Sequence, residues 1–144
     1  NWDFILGILV KFALNIKANF FMKKEWFFFP MSYLMRALGG VAIQRNKKMR
    51  MTDAMAAEFE KHESLCVAIT PEGTRSYNPD WKKGFYFIAE KAGVPIVFAS
   101  LDFKKKEIKL GEQFIPTGNV DADMAQIKAY YKDVNAKFPE KFGI

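Results

Sequence analysis

The chain has 144 residues, of which 50% are hydrophobic, and this composition excludes wholesale disorder and predicts one domain with its own core. The formal net charge of +6 favours an acidic partner, whether nucleic acid, anionic lipid or a phosphorylated small molecule, without choosing among them. A single cysteine, Cys66, excludes an internal disulfide framework and fits a reducing compartment, and its apolar neighbours predict a core-packing role.

The first residues carry apolar runs that are too short to span a bilayer. Lys11, Lys17 and the Lys23-Lys24-Glu25 cluster break the apolar segments around residues 4–14 and 26–31 well before the about 20 apolar residues that a spanning helix needs. No basic leader or small-residue cleavage site marks a signal peptide. Since the chain opens on Asn1-Trp2-Asp3 without an initiator Met, we expect a longer sequence upstream.

The first half of the chain alternates helical and strand-like patterns. Asp3 is placed to cap a buried helix, Gly39-Gly40 to stop a second one, and Thr52 to cap a third. The predicted elements are a helix over 4–14, a strand over 18–22, a helix from Pro30 to about Leu38, a strand over 41–43 and a helix from Thr52 to about Lys61.

The second half continues this alternation, which predicts an α/β fold. The expected elements are strands over 65–70 and 94–99, a helix over 84–91 that Gly93 closes, a hairpin over 103–110 at the sheet edge and an amphipathic helix over 121–137. No repeat, linker or second domain is apparent. We therefore expect residues 1–144 to form a single domain, with a mixed, largely parallel sheet flanked by helices.

A compact group of functional residues follows the third predicted strand. Pro71-Glu72-Gly73-Thr74-Arg75 presents a carboxylate, a flexible backbone, a hydroxyl and a guanidinium in one turn. Gly73 allows a ligand to approach the backbone, and Arg75 offers a planar donor fork to an anion. The alternative is an ordinary surface turn with a local Glu-Arg pair.

Four segments in order resemble those of the glycerolipid acyltransferases typified by 1-acylglycerol-3-phosphate acyltransferase. They are Asn1-Trp2-Asp3, Gly40-Val41-Ala42-Ile43-Gln44-Arg45, Pro71-Glu72-Gly73-Thr74-Arg75 and Val94-Pro95-Ile96-Val97. They correspond to the family blocks HxxxxD, GxxxxxR, EGTR and a hydrophobic strand carrying Pro. The resemblance covers almost the whole chain and implies a glycerol-3-phosphate acyltransferase-like fold.

The resemblance also implies the role of each site residue. Asp3 matches the acid of HxxxxD and would orient a catalytic His upstream of residue 1, so that the chain starts inside that block. Arg45 and Arg75 would bind an acceptor phosphate, while Glu72, Gly73 and Thr74 shape the acceptor site. For Asp3 and Arg45 the alternatives are a helix cap and a solvated basic loop.

Other candidate residues carry weaker signals. His62, the one histidine, follows a polar helix and is predicted to be solvated rather than catalytic. Pro95 shapes a strand start, and Lys82 and Lys83 either meet a phosphate or lipid headgroup or simply begin an exposed helix. No metal-ligand spacing or dinucleotide loop occurs, so no metal and no bound cofactor are expected.

Trp26-Phe27-Phe28-Phe29, flanked by Lys23 and Lys24, is typical of a bilayer interface, although an aromatic core segment is the alternative. We therefore expect peripheral attachment at the cytoplasmic face of a membrane. The leading function is transfer of an acyl group from acyl-CoA or acyl-carrier protein to a lysophosphatidate-like lipid in phospholipid biosynthesis. Alternatives are a same-family enzyme for another lysolipid, or a non-catalytic lipid-binding domain. Nucleic-acid binding ranks last, because the aromatics do not interleave with a basic face.

Overall fold

A computed structural model describes residues 18–43, 49–74 and 76–144. Contacts within the chain define two compact units, and the boundary between them in sequence lies between Ile69 and Thr70. The predicted helix over 4–14 lies outside the described residues. The single-domain organisation stays a prediction, and each unit is described by itself.

The first unit contains a parallel sheet whose strands are separated by helices. Its described elements are β1 (Ala18–Lys23), a 3-10 turn (Lys24–Trp26), α1 (Met31–Ala37), β2 (Gly40–Ile43), α2 (Met51–Glu60) and β3 (Cys66–Val67). β1 is the central strand and pairs in parallel with β2 on one side and β3 on the other. Parallel neighbours separated by helical connections are the pattern of an α/β fold.

The end of α1 follows the predicted glycine signal. Gly39 adopts a φ of 93°, which a residue with a side chain rarely adopts, and so the helix stops there. Gly40 then begins β2 beside that helix, where a Cβ would lie 2.8 Å from the carbonyl oxygen of Met35. The predicted stop at Gly39-Gly40 is confirmed.

The start of α2 differs from the prediction by one or two residues. Arg50 rather than Thr52 occupies the cap position, because its extended backbone directs its carbonyl oxygen at the amides of Asp53 and Ala54, each at 3.1 Å. Thr52 therefore lies inside the first turn. The predicted cap was wrong, while the helix itself is confirmed.

The strand predicted over 65–70 is much shorter than expected. Only Cys66 and Val67 pair with β1, and Cys66 is exposed. β3 lies at the edge of the described sheet, and its successive side chains point to opposite faces, so that a run of apolar residues need not be buried along its whole length. The predicted core-packing role of Cys66 was therefore wrong.

The second unit consists of a helix, a hairpin and a second helix. Its described elements are α3 (Gly84–Ala92), β4 (Ile96–Asp102), β5 (Glu107–Phe114), α4 (Val120–Tyr130) and a 3-10 turn (Pro139–Lys141). β4 and β5 pair antiparallel, which confirms a hairpin, but its strands extend beyond the predicted 103–110 on both sides. Among the described strands they form a two-stranded sheet of their own rather than the edge of the parallel sheet. Gly93 has a φ of 64° and closes α3 as predicted.

The core of this unit is aromatic. Its buried members come from the segment before α3 and from all four main elements: Trp81, Tyr86, Phe98, Phe114, Met124 and Ile127. On β4 burial alternates, because Phe98, Ser100 and Asp102 face inward while Val97 on the other face is 47% exposed. The strand is therefore buried on one face only, and it begins at Ile96 rather than at residue 94 as predicted.

The buried carboxylate of Asp102 ties the hairpin turn to the end of α4. It accepts hydrogen bonds from the backbone amide of Lys105 at 2.8 Å and from Nδ2 of Asn135 at 2.9 Å. The Lys105 amide is the largest influence that holds the pKa of Asp102 at about 2, and the Asn135 bonds lower the pKa further against the effect of burial. α4 ends at Tyr130 instead of residue 137, and Asn135 lies beyond the helix, bonded to Asp102.

A second buried carboxylate, Asp123, connects α4 to α3. It accepts hydrogen bonds from the Tyr86 hydroxyl and the Thr117 amide at 2.7 Å and from the Thr117 hydroxyl at 2.8 Å. Burial raises the pKa of Asp123, but these donors outweigh burial and leave the pKa below its usual value. Together the two units confirm the predicted mixed α/β class, with a three-stranded parallel sheet and flanking helices.

Candidate functional site

The turn from Pro71 to Thr74 opens the second unit and presents its backbone to solvent. Gly73 adopts a left-handed φ of 65°, a conformation that strains any residue with a side chain. Gly73 and Thr74 are exposed, while Pro71 and Glu72 are half-buried. The Thr74 hydroxyl accepts a hydrogen bond from the amide of Ser76 at 3.2 Å, so that the oxygen is held at the rim of the turn.

Two hydrogen bonds from the following loop hold this turn in place. The backbone amide of Lys82 donates to the carbonyl oxygen of Pro71 at 2.9 Å, and Nδ2 of Asn78 donates to the carbonyl oxygen of Glu72 at 2.9 Å. The side-chain oxygen of Asn78 in turn accepts from the amide of Asp80 at 3.0 Å. The turn is therefore braced against residues 78–82 and does not depend on its own residues alone.

Trp81 anchors this loop in the core of the second unit. Its indole is buried, and Nε1 donates to the carbonyl oxygen of Gly143 at 2.7 Å. The Lys128 ammonium lies 5.7 Å from the centroid of the indole ring, and Tyr131 packs edge-on against the same ring. Because Lys82 is the next residue, its backbone position is fixed by a packed neighbour.

The two lysines before α3 have different surroundings. The Lys82 side chain lies over the turn. A Cβ placed on Gly73 would be 2.8 Å from Cδ and Cε of Lys82 and 3.1 Å from Nζ of Lys82. Lys83 instead pairs with Asp121 in the first turn of α4, with Nζ 2.7 Å from Oδ1. The hydrogen bond and charge of Lys83 lower the pKa of Asp121. The two neighbouring lysines therefore differ in their contacts.

Of the predicted site residues, the structure brings Glu72, Gly73 and Thr74 together in this one turn. Asp3, Arg45 and Arg75 lie outside the described residues, so their roles stay predictions. His62 is exposed near Glu58, with Nε2 3.8 Å from Oε2, and its predicted solvated position is confirmed.

Two residues that brace and anchor the turn, Asn78 and Trp81, were not among the predicted site residues. The Asn78-Pro79-Asp80 sequence is a turn signal that points to the local role of Asn78. No local pattern indicates the bond between Trp81 and Gly143, which are separated by 62 positions in the chain.

Over residues 18–43, 49–74 and 76–144, no group of three or more His, Cys, Asp or Glu side chains is arranged to hold a metal ion. No helix in this described part of the chain combines the length and apolar character needed to cross a bilayer.

Comparison with known proteins adds the family. The family model described as Acyltransferase matches residues 2–101, a range that includes Asp3, Arg45, the Glu72–Arg75 sequence and Pro95. Over 81 residues the chain is 41% identical to human (Homo sapiens) 1-acyl-sn-glycerol-3-phosphate acyltransferase beta, and the match covers 52% of this chain and 29% of that protein. No solved structure gives a significant match. Because the family model covers well over half of its length, the chain belongs to the acyltransferase family.

Proposed function

We propose that this protein moves a fatty acyl group from a thioester donor to the hydroxyl of a lysophosphatidate-like lipid in phospholipid biosynthesis. The observation that carries the proposal is the braced turn at Glu72-Gly73-Thr74. Its exposed Gly73 backbone and Thr74 hydroxyl are accessible to an anionic acceptor. Membership of the acyltransferase family and the name of the human relative support the same reaction class. The donor in the proposal is acyl-CoA or acyl-carrier protein.

The proposed mechanism needs a base, an anion site and no resident cofactor. A His five positions upstream of Asp3 takes the proton of the acceptor hydroxyl, while Asp3 orients the imidazole and stabilises its positive charge. The acceptor oxygen attacks the thioester carbonyl, the carbon–sulfur bond breaks, and the imidazolium returns the proton to the leaving thiolate. Arg45 and Arg75 bind the acceptor phosphate, and Glu72, Gly73 and Thr74 shape the acceptor site.

The test is an acyl-transfer assay on the full-length protein with labelled acyl-CoA and a panel of lysolipids. We expect Asp3→Asn to lower kcat by about 10⁴-fold, the order found when a triad carboxylate is lost, and Arg75→Ala to raise the KM of phosphate-bearing acceptors. Asp133→Asn and Arg50→Ala, which change exposed residues elsewhere, serve as controls. Unchanged turnover in both site variants would sink this assignment.

Two alternatives give other outcomes in the same assay. A family member with a different acceptor would transfer the label to another lysolipid, and its turnover would still depend on Asp3. A non-catalytic lipid-binding domain would transfer no label and would carry a residue other than His five positions before Asp3. The identity of that upstream residue separates the enzyme from the binding module.

We also propose that the first unit attaches the protein peripherally to the cytoplasmic face of a membrane, where a lipid acceptor and a cytoplasmic acyl donor meet. The surface formed by Trp26, Phe28, Phe29, Tyr33 and Leu34 supports this, because every one of these side chains is exposed, with Phe29 at 81% and Tyr33 at 73%. The rings of Phe29 and Tyr33 contact edge to face, with centroids 6.3 Å apart. Lys23 and Arg36, which are also exposed, add positive charge suited to anionic headgroups.

Co-sedimentation with vesicles that contain an anionic lipid tests this attachment. The double variant Trp26→Ser/Phe28→Ser should lose most vesicle binding, because both side chains are more than half exposed and belong to this aromatic surface. Phe138→Ser is the matched control, since Phe138 is 51% exposed but lies in the second unit. Equal losses in the double variant and the control would argue against a specific membrane surface.

A further inference from the structure

Lys82 and Lys83 are adjacent in sequence but differ in what neutralises them. The Lys83 ammonium is paired with Asp121 at 2.7 Å. In the part of the chain that the structure describes, the Lys82 ammonium has no ion pair or side-chain hydrogen bond. Its stem lies over Gly73 instead, and its charge stands at the open face of the turn.

Three features hold Lys82 there. Its backbone amide is bonded to Pro71, and Trp81, its neighbour in the chain, is buried and bonded to Gly143. The third is the absence of a side chain at Gly73, because a Cβ at that position would overlap the Lys82 stem at 2.8 Å. The backbone of Lys82 is thus fixed relative to the turn, while its ammonium stays exposed to solvent.

We propose that Lys82 contacts the phosphate of the acceptor lipid and is a specificity-determining residue of the site at Glu72-Gly73-Thr74. The inference rests on the proposed function, and it adds a cation that none of the four family-like sequence blocks contains. A lysine ammonium is a compact point charge with three donors, and such a group suits the oxygens of a phosphate monoester. Lys83, held by Asp121, has no part in this contact.

The kinetic test compares Lys82→Gln, Lys82→Arg and Lys83→Gln in the full-length protein. Each variant is assayed with lysophosphatidate and with an uncharged monoacylglycerol as acceptor, at a saturating concentration of acyl-CoA. We expect Lys82→Gln to raise the KM of lysophosphatidate about tenfold or more, as loss of a charge-assisted hydrogen bond would, with kcat and the monoacylglycerol KM changed less than about twofold. Lys82→Arg should restore most of the loss, and Lys83→Gln should match the wild type.

Two outcomes would overturn the inference. One is an unchanged lysophosphatidate KM in Lys82→Gln. The other is an equal rise in Lys83→Gln, which would show a general effect of positive charge rather than a contact by one lysine. Thermal unfolding of each variant checks that a change in KM does not reflect loss of folding.

A binding arm separates failure of this inference from failure of the proposed function. If the wild type transfers label to no acceptor, the proposed function fails, and calorimetric titration with glycerol 3-phosphate at low ionic strength then tests Lys82 directly. Binding that Lys82→Gln abolishes and Lys83→Gln keeps supports the anion contact. No wild-type binding, or equal binding by all three proteins, contradicts it.

Discussion

Two groups of aromatic side chains, one in each compact unit, have opposite environments. In the second unit Trp81, Tyr86 and Phe98 are buried in one cluster, whereas in the first unit Trp26 and Phe29 are more than half exposed. The residue types are the same, so aromatic content alone does not determine burial. Residues 26–29 had two interpretations, a bilayer interface and an aromatic core segment. The core-segment interpretation does not hold for Trp26, Phe28 or Phe29.

The spacing of the aromatics explains much of this difference. Phe98 lies on the inward face of the alternating strand β4, and Tyr86 on the buried side of α3. Residues 26–29 instead place four aromatics in succession, and no single face of a helix or strand accommodates consecutive side chains. Phe27 is the half-buried member, near Gly40, and its neighbours point elsewhere. Uninterrupted aromatic runs are therefore candidates for a surface function.

The largest effect that we predict is on stability, and it contrasts one phenylalanine from each unit. Phe98→Ala should lower the free energy of unfolding by about 3–5 kcal/mol, because it leaves a cavity among packed rings. Phe29→Ala should change that free energy by less than about 0.5 kcal/mol, because Phe29 is mostly exposed. Urea unfolding followed by circular dichroism measures both, and similar losses would remove the distinction between the two regions.

The second-largest predicted effect depends on pH and concerns a residue of the second unit. The pKa of Asp102 is about 2 in the folded protein and 3.8 without its partners, so ionised Asp102 stabilises the fold above about pH 4. This contribution falls as the pH drops through about 2. Asp102→Asn should therefore lower the urea midpoint at pH 7. It should also make the urea midpoint less dependent on pH between about pH 4 and pH 2. Asp133→Asn, at an exposed position, is the control, and equal acid dependence of wild type and Asp102→Asn would contradict the assignment.

A smaller effect should distinguish two left-handed glycines. Gly73→Ala and Gly93→Ala should each lower the free energy of unfolding by about 1–2 kcal/mol, because both positions have a φ near +65°. Only Gly73→Ala places a methyl group against the Lys82 stem, since nothing lies within 4 Å of a Cβ at Gly93. Acceptor KM should therefore rise in Gly73→Ala alone, and an equal rise in both variants would place the effect outside the turn.

The smallest predicted effect concerns charge beside the exposed aromatic surface. Arg36→Gln should weaken binding to anionic vesicles by about 1 kcal/mol, about fivefold, and leave binding to zwitterionic vesicles unchanged. Lys132→Gln changes an exposed lysine of the second unit and should weaken binding to anionic vesicles less than Arg36→Gln does. Sedimentation at low and high salt gives the measurement, and a loss that is independent of lipid charge would contradict an electrostatic role for Arg36.

Local signals predicted most of the elements but not their extent. Gly39 and Gly93 end their helices as expected, since a positive φ is a property of the residue itself. Asn135, which was predicted to lie in the last helix, is instead bonded outside it to Asp102, 33 positions away. The length of β3 was missed because strand pairing depends on a neighbour elsewhere in the chain. Contacts between distant residues leave no periodic pattern at either position.

The sequence by itself determined the order of elements, the mixed α/β class and, through Glu72-Gly73-Thr74-Arg75 and its companion blocks, the family. Only the tertiary structure showed that Cys66 is exposed, that residues 26–29 do not form a core segment, and that Lys82 lies over the turn while Lys83 pairs with Asp121. The physical reason is that propensity and turn chemistry act between near neighbours in the chain. Burial and charge pairing are instead set by residues that folding brings together, as the 38 positions between Lys83 and Asp121 illustrate.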